Sequence, residues 1–200
     1  MPLSSRTRRL VLPLAAFVIG LGVLSAALVL TLAPPNPSAT VNSAVGGPFT
    51  LVDHNGRTVT EKDFAGRPHL VFFGFTHCPD VCPTTLFQLS EVLGATGEKG
   101  RDLRVLFITV DPERDTPEAM KSYISSFDER IVGLTGDPAS VDAAVKTFRA
   151  YAKKVPTNDG DYTMEHSSAV YLMGADGRLI GLVSLSRAPE EAARDLLSKI

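Results

Sequence analysis

Cysteine is scarce in this chain: Cys78 and Cys82 are its two thiols among 200 residues. A structural zinc site wants four protein ligands, and beyond these two and His166 only Asp111, His77 or a water is available as a fourth. Charge of one sign is lacking too. Twenty basic and 22 acidic side chains leave a net charge of −2, which gives no electrostatic case for nucleic acid. No internal repeat is present. Charged residues are also absent between Arg9 and Asp53.

That last gap opens on an apolar run from Leu10 to Ala33, behind the basic cluster Arg6, Arg8 and Arg9. Its 24 residues, at a helical rise of about 1.5 Å each, reach about 36 Å and would cross a bilayer core of about 30 Å. A cleaved signal peptide has an apolar region of about 7–15 residues. Its late site here, Thr31-Leu32-Ala33, would be followed by Pro34. The expectation is an uncleaved transmembrane anchor over 10–33, with residues 1–9 in the cytoplasm and the rest outside it. A mitochondrial route would need an amphipathic presequence ahead of the anchor, so the expected location is a bacterial inner membrane, single-pass, with the C-terminal domain in the periplasm. Residues 34–47, rich in Pro, Ser, Gly and Ala, read as a flexible linker. Residues 48–200 offer one domain with a sizeable core.

Within that domain, apolar runs alternate with helix-start signals. Phe49–Asp53 and Arg57–Thr60 flank Asn55-Gly56 and predict a hairpin, with both turn residues at positive φ. His69–Phe75 and Leu103–Val110 are continuous apolar runs of the kind that form buried strands. Pro83, Thr116-Pro117 and Asp137-Pro138 open helices. In the third of these, Val141, Val145, Phe148 and Ala152 share a face. Ile131–Leu134 is a short strand, Lys153–Glu165 a polar loop, and Ser168–Met173 and Arg178–Val183 two strands joined across Asp176-Gly177. A last helix starts near Pro189. The order implies an α/β, thioredoxin-like fold with a mixed central sheet, preceded by a β-hairpin and the anchor helix.

Cys78 and Cys82 fall in the loop after the first buried strand. Ligands in such sheets gather at the carboxyl ends of parallel strands. Asp111 stands at the end of the second strand, and His166 at the start of an antiparallel strand near Ser167, so all four could share one sheet edge. Two thiolates and one imidazole suit copper, as Cu(I) in a three-coordinate site. Cu(II) could bind with a carboxylate or water added. Other chemistries use the same pair. A structural disulfide across so short a loop staples almost nothing. A redox pair of this fold usually has two intervening residues, not three, and a proline where His166 stands; the nearest earlier one is Pro156. A peroxidase-like thiol would use Thr76, but fits a paired Cys82 poorly.

Several residues have plainer readings. His77 adjoins Cys78, yet consecutive side chains of an extended segment diverge. His54 and His69 read as surface or strand-edge residues. Asp111 could equally cap a turn. Asp115, Thr116 and Pro117 read as helix-start chemistry, and Asp159-Gly160-Asp161 as a solvated loop.

The runs Gly74-Phe-Thr-His-Cys78-Pro-Asp-Val-Cys82-Pro83 and Asp111-Pro-Glu-Arg-Asp115-Thr-Pro117, with Glu165-His166 before a strand, resemble the Sco/SenC family of copper-binding assembly proteins. The resemblance covers roughly 49–185. It implies a thioredoxin fold, copper held by Cys78, Cys82 and His166, and a role in building the binuclear copper centre of cytochrome c oxidase. Asp111 matches a recurring acidic position of that family. The implied partner is the copper-accepting oxidase subunit, with an upstream periplasmic copper donor or a thioredoxin-like reductant on the other side. The expectation is a membrane-anchored metallochaperone. The alternative is a thiol–disulfide oxidoreductase that reduces the acceptor's cysteines through Cys78 and Cys82.

Overall fold

Gly22 and residues 45–200 are the described part of this protein, in a computed structural model. The chain divides between Asn42 and Ser43, and everything below except Gly22 lies in the second unit. Gly22 is helical. The rest of the expected anchor, and the expected linker up to residue 44, lie outside the described residues. Among the described residues no helix is long and apolar enough to cross a membrane.

The two continuous apolar runs form strands β3 (His69–Gly74) and β4 (Arg104–Thr109), paired in parallel with Phe72 opposite Phe107. Strand β5 (Ile131–Thr135) extends the parallel set beyond β4. Burial from both sides explains why these strands read as unbroken apolar stretches. Strands β1 (Thr50–Asp53) and β2 (Thr58–Thr60) form the expected hairpin, and β1 adds antiparallel to β5. On the other flank, β8 (Val170–Met173) runs antiparallel to β3, and β9 (Leu179–Val183) closes the seven-stranded sheet in the order β2-β1-β5-β4-β3-β8-β9. This is the mixed α/β, thioredoxin-like architecture expected.

Four helices cover the sheet. Helix α1 (Val81–Ala95) buries Cys82, Thr85, Leu86, Leu89, Val92 and Leu93, a single helical stripe. Helix α2 (Pro117–Ile124) starts at Thr116, whose hydroxyl accepts from Ala119 N–H. Helix α3 (Pro138–Thr147) starts at Asp137, whose carboxylate accepts from Ser140 N–H. Helix α4 (Pro189–Leu197) lies against α1. Phe72, Phe73, Phe75, Phe107 and Phe148 are fully buried between these layers. Each such ring, removed from water, contributes about 1.5–3 kcal/mol before entropy is counted.

Four local expectations are corrected. In the first hairpin only Gly56 has positive φ (81°); Gly56 N–H donates to the Asp53 carbonyl and Asp53 N–H to the Arg57 carbonyl. That is a three-residue loop with a glycine bulge rather than a two-residue turn. The Asp53 carboxylate, accepting from the Asn55 and Arg57 amides at 2.9 Å each, favours the longer loop. Ala152 does not continue the face of α3. It begins β6 (Ala152–Pro156), which pairs antiparallel with β7 (Tyr162–His166) as a separate two-stranded sheet. The stretch read as a polar loop is therefore a hairpin. Its charged, two-sided surface leaves too faint an apolar alternation to report a strand. His166 consequently ends β7 instead of starting the strand that follows.

His69 is also more enclosed than a strand-edge residue, at 6% exposure. Burial pushes its imidazole pKa below the ordinary value, against the pull of the hydrogen bond to the Arg67 carbonyl.

Candidate metal centre

Strand β3 ends at Gly74, where a side chain has no room. A Cβ at that position would lie 2.7 Å from both Cys82 Sγ and a Phe107 ring carbon. Phe75 then anchors the loop, 1% exposed. Cys78 N–H donates back to the Phe75 carbonyl, and the chain turns into α1 at Asp80. Cys82 sits in the first turn of that helix, where backbone amides lack helical partners. Its N–H points at Cys78 Sγ, 3.4 Å away, so the first sulfur takes the place of a capping oxygen. Asp80 makes no side-chain cap of its own. Pro83 in the same turn has no N–H to satisfy.

Cys82 is fully buried and Cys78 partly so, and neither is in a disulfide. Burial pushes the Cys82 thiol far above its ordinary pKa, Cys78 and Asp115 push the same way, and the Phe75 backbone pulls against them.

His166 reaches this pair from the end of β7, 84 positions from Cys82; its Nε2 lies 3.4 Å from Cys82 Sγ. The other ring nitrogen, Nδ1, lies 3.0 Å from the Ser167 carbonyl. A carbonyl can only accept, so Nδ1 carries the proton and Nε2 of the neutral ring keeps its lone pair toward the sulfurs. The Cys82 thiol therefore donates to Nε2. Phe72 and Phe75 meet the imidazole edge-on, at centroid distances of 6.2 and 5.8 Å. One ligand atom from each of Cys78, Cys82 and His166 lies within 4.8 Å of the others. Two sulfurs and one correctly oriented nitrogen make a soft, three-donor set.

Beneath the loop is a buried acid whose local sequence pattern describes only a helix start. Asp115, fully buried, accepts from Thr76 N–H (3.1 Å), from the Thr76 hydroxyl (2.6 Å) and from the Thr109 hydroxyl (2.6 Å). The Thr135 hydroxyl donates to its carbonyl. Burial raises the Asp115 carboxyl pKa even though the threonine donors act in the opposite direction. The network ties the cysteine loop to the ends of β4 and β5. Its partner Thr76 is 39 positions away, so no local pattern announces it.

Asp111 is not among the converging donors. Its carboxylate accepts from Arg114 Nε and from the Tyr162 hydroxyl at 2.9 Å. Burial, and then the Asp111 acceptor, raise the Tyr162 phenol to about 12. His77 stands outside the group as well, half-exposed, with Nδ1 3.0 Å from the Thr76 hydroxyl. His54 serves the first hairpin, where its Nδ1 accepts from Gly133 N–H. Asp159 and Asp161 are exposed, as a solvated loop should be.

A family model described as SCO1/SenC matches residues 37–200. "Protein SCO1 homolog, mitochondrial" of Mus musculus is 40% identical over 152 residues, covering 74% of this chain and 54% of that protein. The chain spans about half the length of the curated mitochondrial relatives it matches. The solved Bradyrhizobium japonicum ScoI with copper bound superposes with a TM-score of 0.75 at 56% identity, covering 78% of this chain and 99% of that one. Arabidopsis thaliana ScoI with copper bound gives a TM-score of 0.73 at 33% identity, over 78% and 97% of the two chains.

Proposed function

The chain belongs to the SCO1/SenC family, and on that premise we propose that it is a copper metallochaperone acting in the assembly of cytochrome c oxidase. The observation that carries the reading is the three-donor set: two sulfurs and the lone pair of His166 Nε2, mutually within 4.8 Å. Copper is the cargo. Loading with Cu(I) replaces the hydrogen bond between the Cys82 thiol and His166 by two bonds to the metal, and both thiol protons leave to solvent. The buried Cys82 thiol resists ionisation without a metal, so proton release accompanies loading. Delivery proceeds by ligand exchange with the oxidase's copper-accepting subunit. Cys78, the more exposed sulfur, is the side from which an incoming thiolate can approach.

The N-terminal apolar run supports placing the protein as a single-pass anchor of the bacterial inner membrane, with this domain in the periplasm. Alkaline carbonate should then leave the intact chain with the membranes; release in a shortened form would show a cleaved leader instead.

The second reading is reduction of the acceptor's cysteines. Two adjacent free thiols favour it, since their oxidation to a disulfide would supply two electrons to a disulfide of the partner. Both roles use the same sulfurs, but only copper binding needs the imidazole. X-ray absorption on the reduced, copper-loaded full-length protein distinguishes them. The expected spectrum has sulfur and imidazole nitrogen as neighbours. Sulfur alone, or no retained copper, overturns the chaperone assignment.

A further inference from the structure

Among the described residues, His166 is carried by a hairpin that belongs to no larger sheet, since β6 and β7 pair with each other alone. A free two-stranded hairpin is marginally stable in water. Something outside it must fix which face β7 turns toward the thiols. Side chains alternate along a strand, so Tyr162, Met164 and His166 share one face and Glu165 points the other way. Tyr162, Met164 and His166 are half-buried; on the opposite face Thr163 is half-buried and Glu165 exposed. Met164 packs against the hydrophobic core, and His166 against Phe72 and Phe75.

The third point of attachment, Tyr162, is held by the loop after β4 and by Lys154 of the neighbouring strand β6. Its hydroxyl donates to Asp111 at 2.9 Å. Its carbonyl accepts from Arg114 Nη1 at 3.1 Å. The Arg114 guanidinium lies 3.9 Å from the ring centroid and the Lys154 ammonium 3.8 Å from it. Lys154 in turn pairs with Glu113 at 2.7 Å, and Arg114 with Asp111. Arg114 also lies over the ring of Phe75, 5.9 Å from its centroid, and Phe75 is one of the two rings that meet His166. Residues 111–114 thus grip β7 at one end and support the imidazole's neighbour at the other.

We propose that Tyr162, clasped by Asp111 and Arg114, is a positioning residue that sets the face of β7 and thereby holds His166 Nε2 over the two thiols. Asp111 acts on the metal centre through this clasp and not as a ligand. The inference rests on the chaperone reading of the site. It assigns Tyr162, Arg114 and Asp111 a common task that the sequence pattern divides among a loop, a turn and a possible secondary ligand.

The test is Cu(I) titration of the reduced full-length protein in detergent, against a competing Cu(I) chelator, with X-ray absorption on the loaded samples. Partners that orient a metal-bound histidine are worth about 10–100-fold in affinity. Tyr162→Leu should weaken copper binding by about that factor and diminish the imidazole signal. Tyr162→Phe, which keeps the ring between its two cations, should fall between the leucine variant and the parent. Asp111→Ala and Tyr162→Phe should be non-additive when combined, because each removes the one hydrogen bond they share. Circular dichroism guards against a folding defect, and if Tyr162→Leu fails to fold, the Tyr162→Phe comparison decides alone. Parent-like affinity and nitrogen signal in Tyr162→Phe and Tyr162→Leu overturn the clasp, as do additive effects in the pair. A parent protein without a sulfur–nitrogen copper spectrum overturns the chaperone reading instead, so the two failures are separable.

Discussion

Cys78→Ser and Cys82→Ser should each reduce copper binding from stoichiometric to undetectable in the presence of a competing Cu(I) chelator. A serine hydroxyl stays protonated and is a hard donor, whereas Cu(I) selects soft thiolates. Either substitution leaves one sulfur and one imidazole, short of three coordination. The two positions fail for different local reasons. At position 82 the lost atom is buried 3.4 Å from His166 Nε2, so the hydroxyl can keep that hydrogen bond and the fold while the metal site disappears. At position 78 the lost sulfur is the acceptor for Cys82 N–H, a role a hydroxyl performs well at a helix start. Thermal midpoints near the parent's are therefore expected for both variants. If either variant still retains copper, the site works through one thiol, and a peroxidase-like chemistry becomes the better account.

His166→Ala should weaken Cu(I) binding by more than about 100-fold, since a lost ligand costs more than the roughly 10–100-fold of a lost outer partner. It should also remove the imidazole contribution from the absorption spectrum. The same variant should still close the Cys78–Cys82 disulfide under mild oxidant. The two sulfurs are brought together by the Phe75–Cys78 turn and the first turn of α1, neither of which involves the histidine. This split between copper and disulfide is what distinguishes a metal-delivery site from a redox pair. Parent-like copper affinity in His166→Ala would remove the imidazole from the ligand set and leave thiol–disulfide exchange as the function that fits.

Much of the architecture was legible before any coordinates. The strands of the parallel set, the helix starts at Thr116-Pro117 and Asp137-Pro138, and the placement of both cysteines between a buried strand and a helix all follow from periodicity and capping chemistry. Those signals are local, written within a few residues of where they act. The β6–β7 hairpin was illegible for the complementary reason. Lys153, Lys154, Asp159 and Asp161 make its sequence read as loop, and its contacts with residues 111–114 and with the core join segments that no window of sequence contains. Asp115 is illegible in the same way. Its neighbours at Thr116-Pro117 describe a helix start, while its carboxylate serves Thr76 and Thr109 inside the protein.

By itself, the sequence determined that this chain carries two thiols at a strand–helix junction, in an α/β domain behind a long apolar run, because residue spacing fixes chemistry and secondary structure over short distances. Only the tertiary structure decided what those thiols face. Packing of β7 against the sheet brings an imidazole across 84 positions to 3.4 Å from a sulfur. The same packing turns Asp111 toward Tyr162 and Arg114 instead of toward the two thiols and the imidazole. Which groups meet depends on how whole layers of side chains close on one another, and that information is spread over the chain rather than held in any one segment.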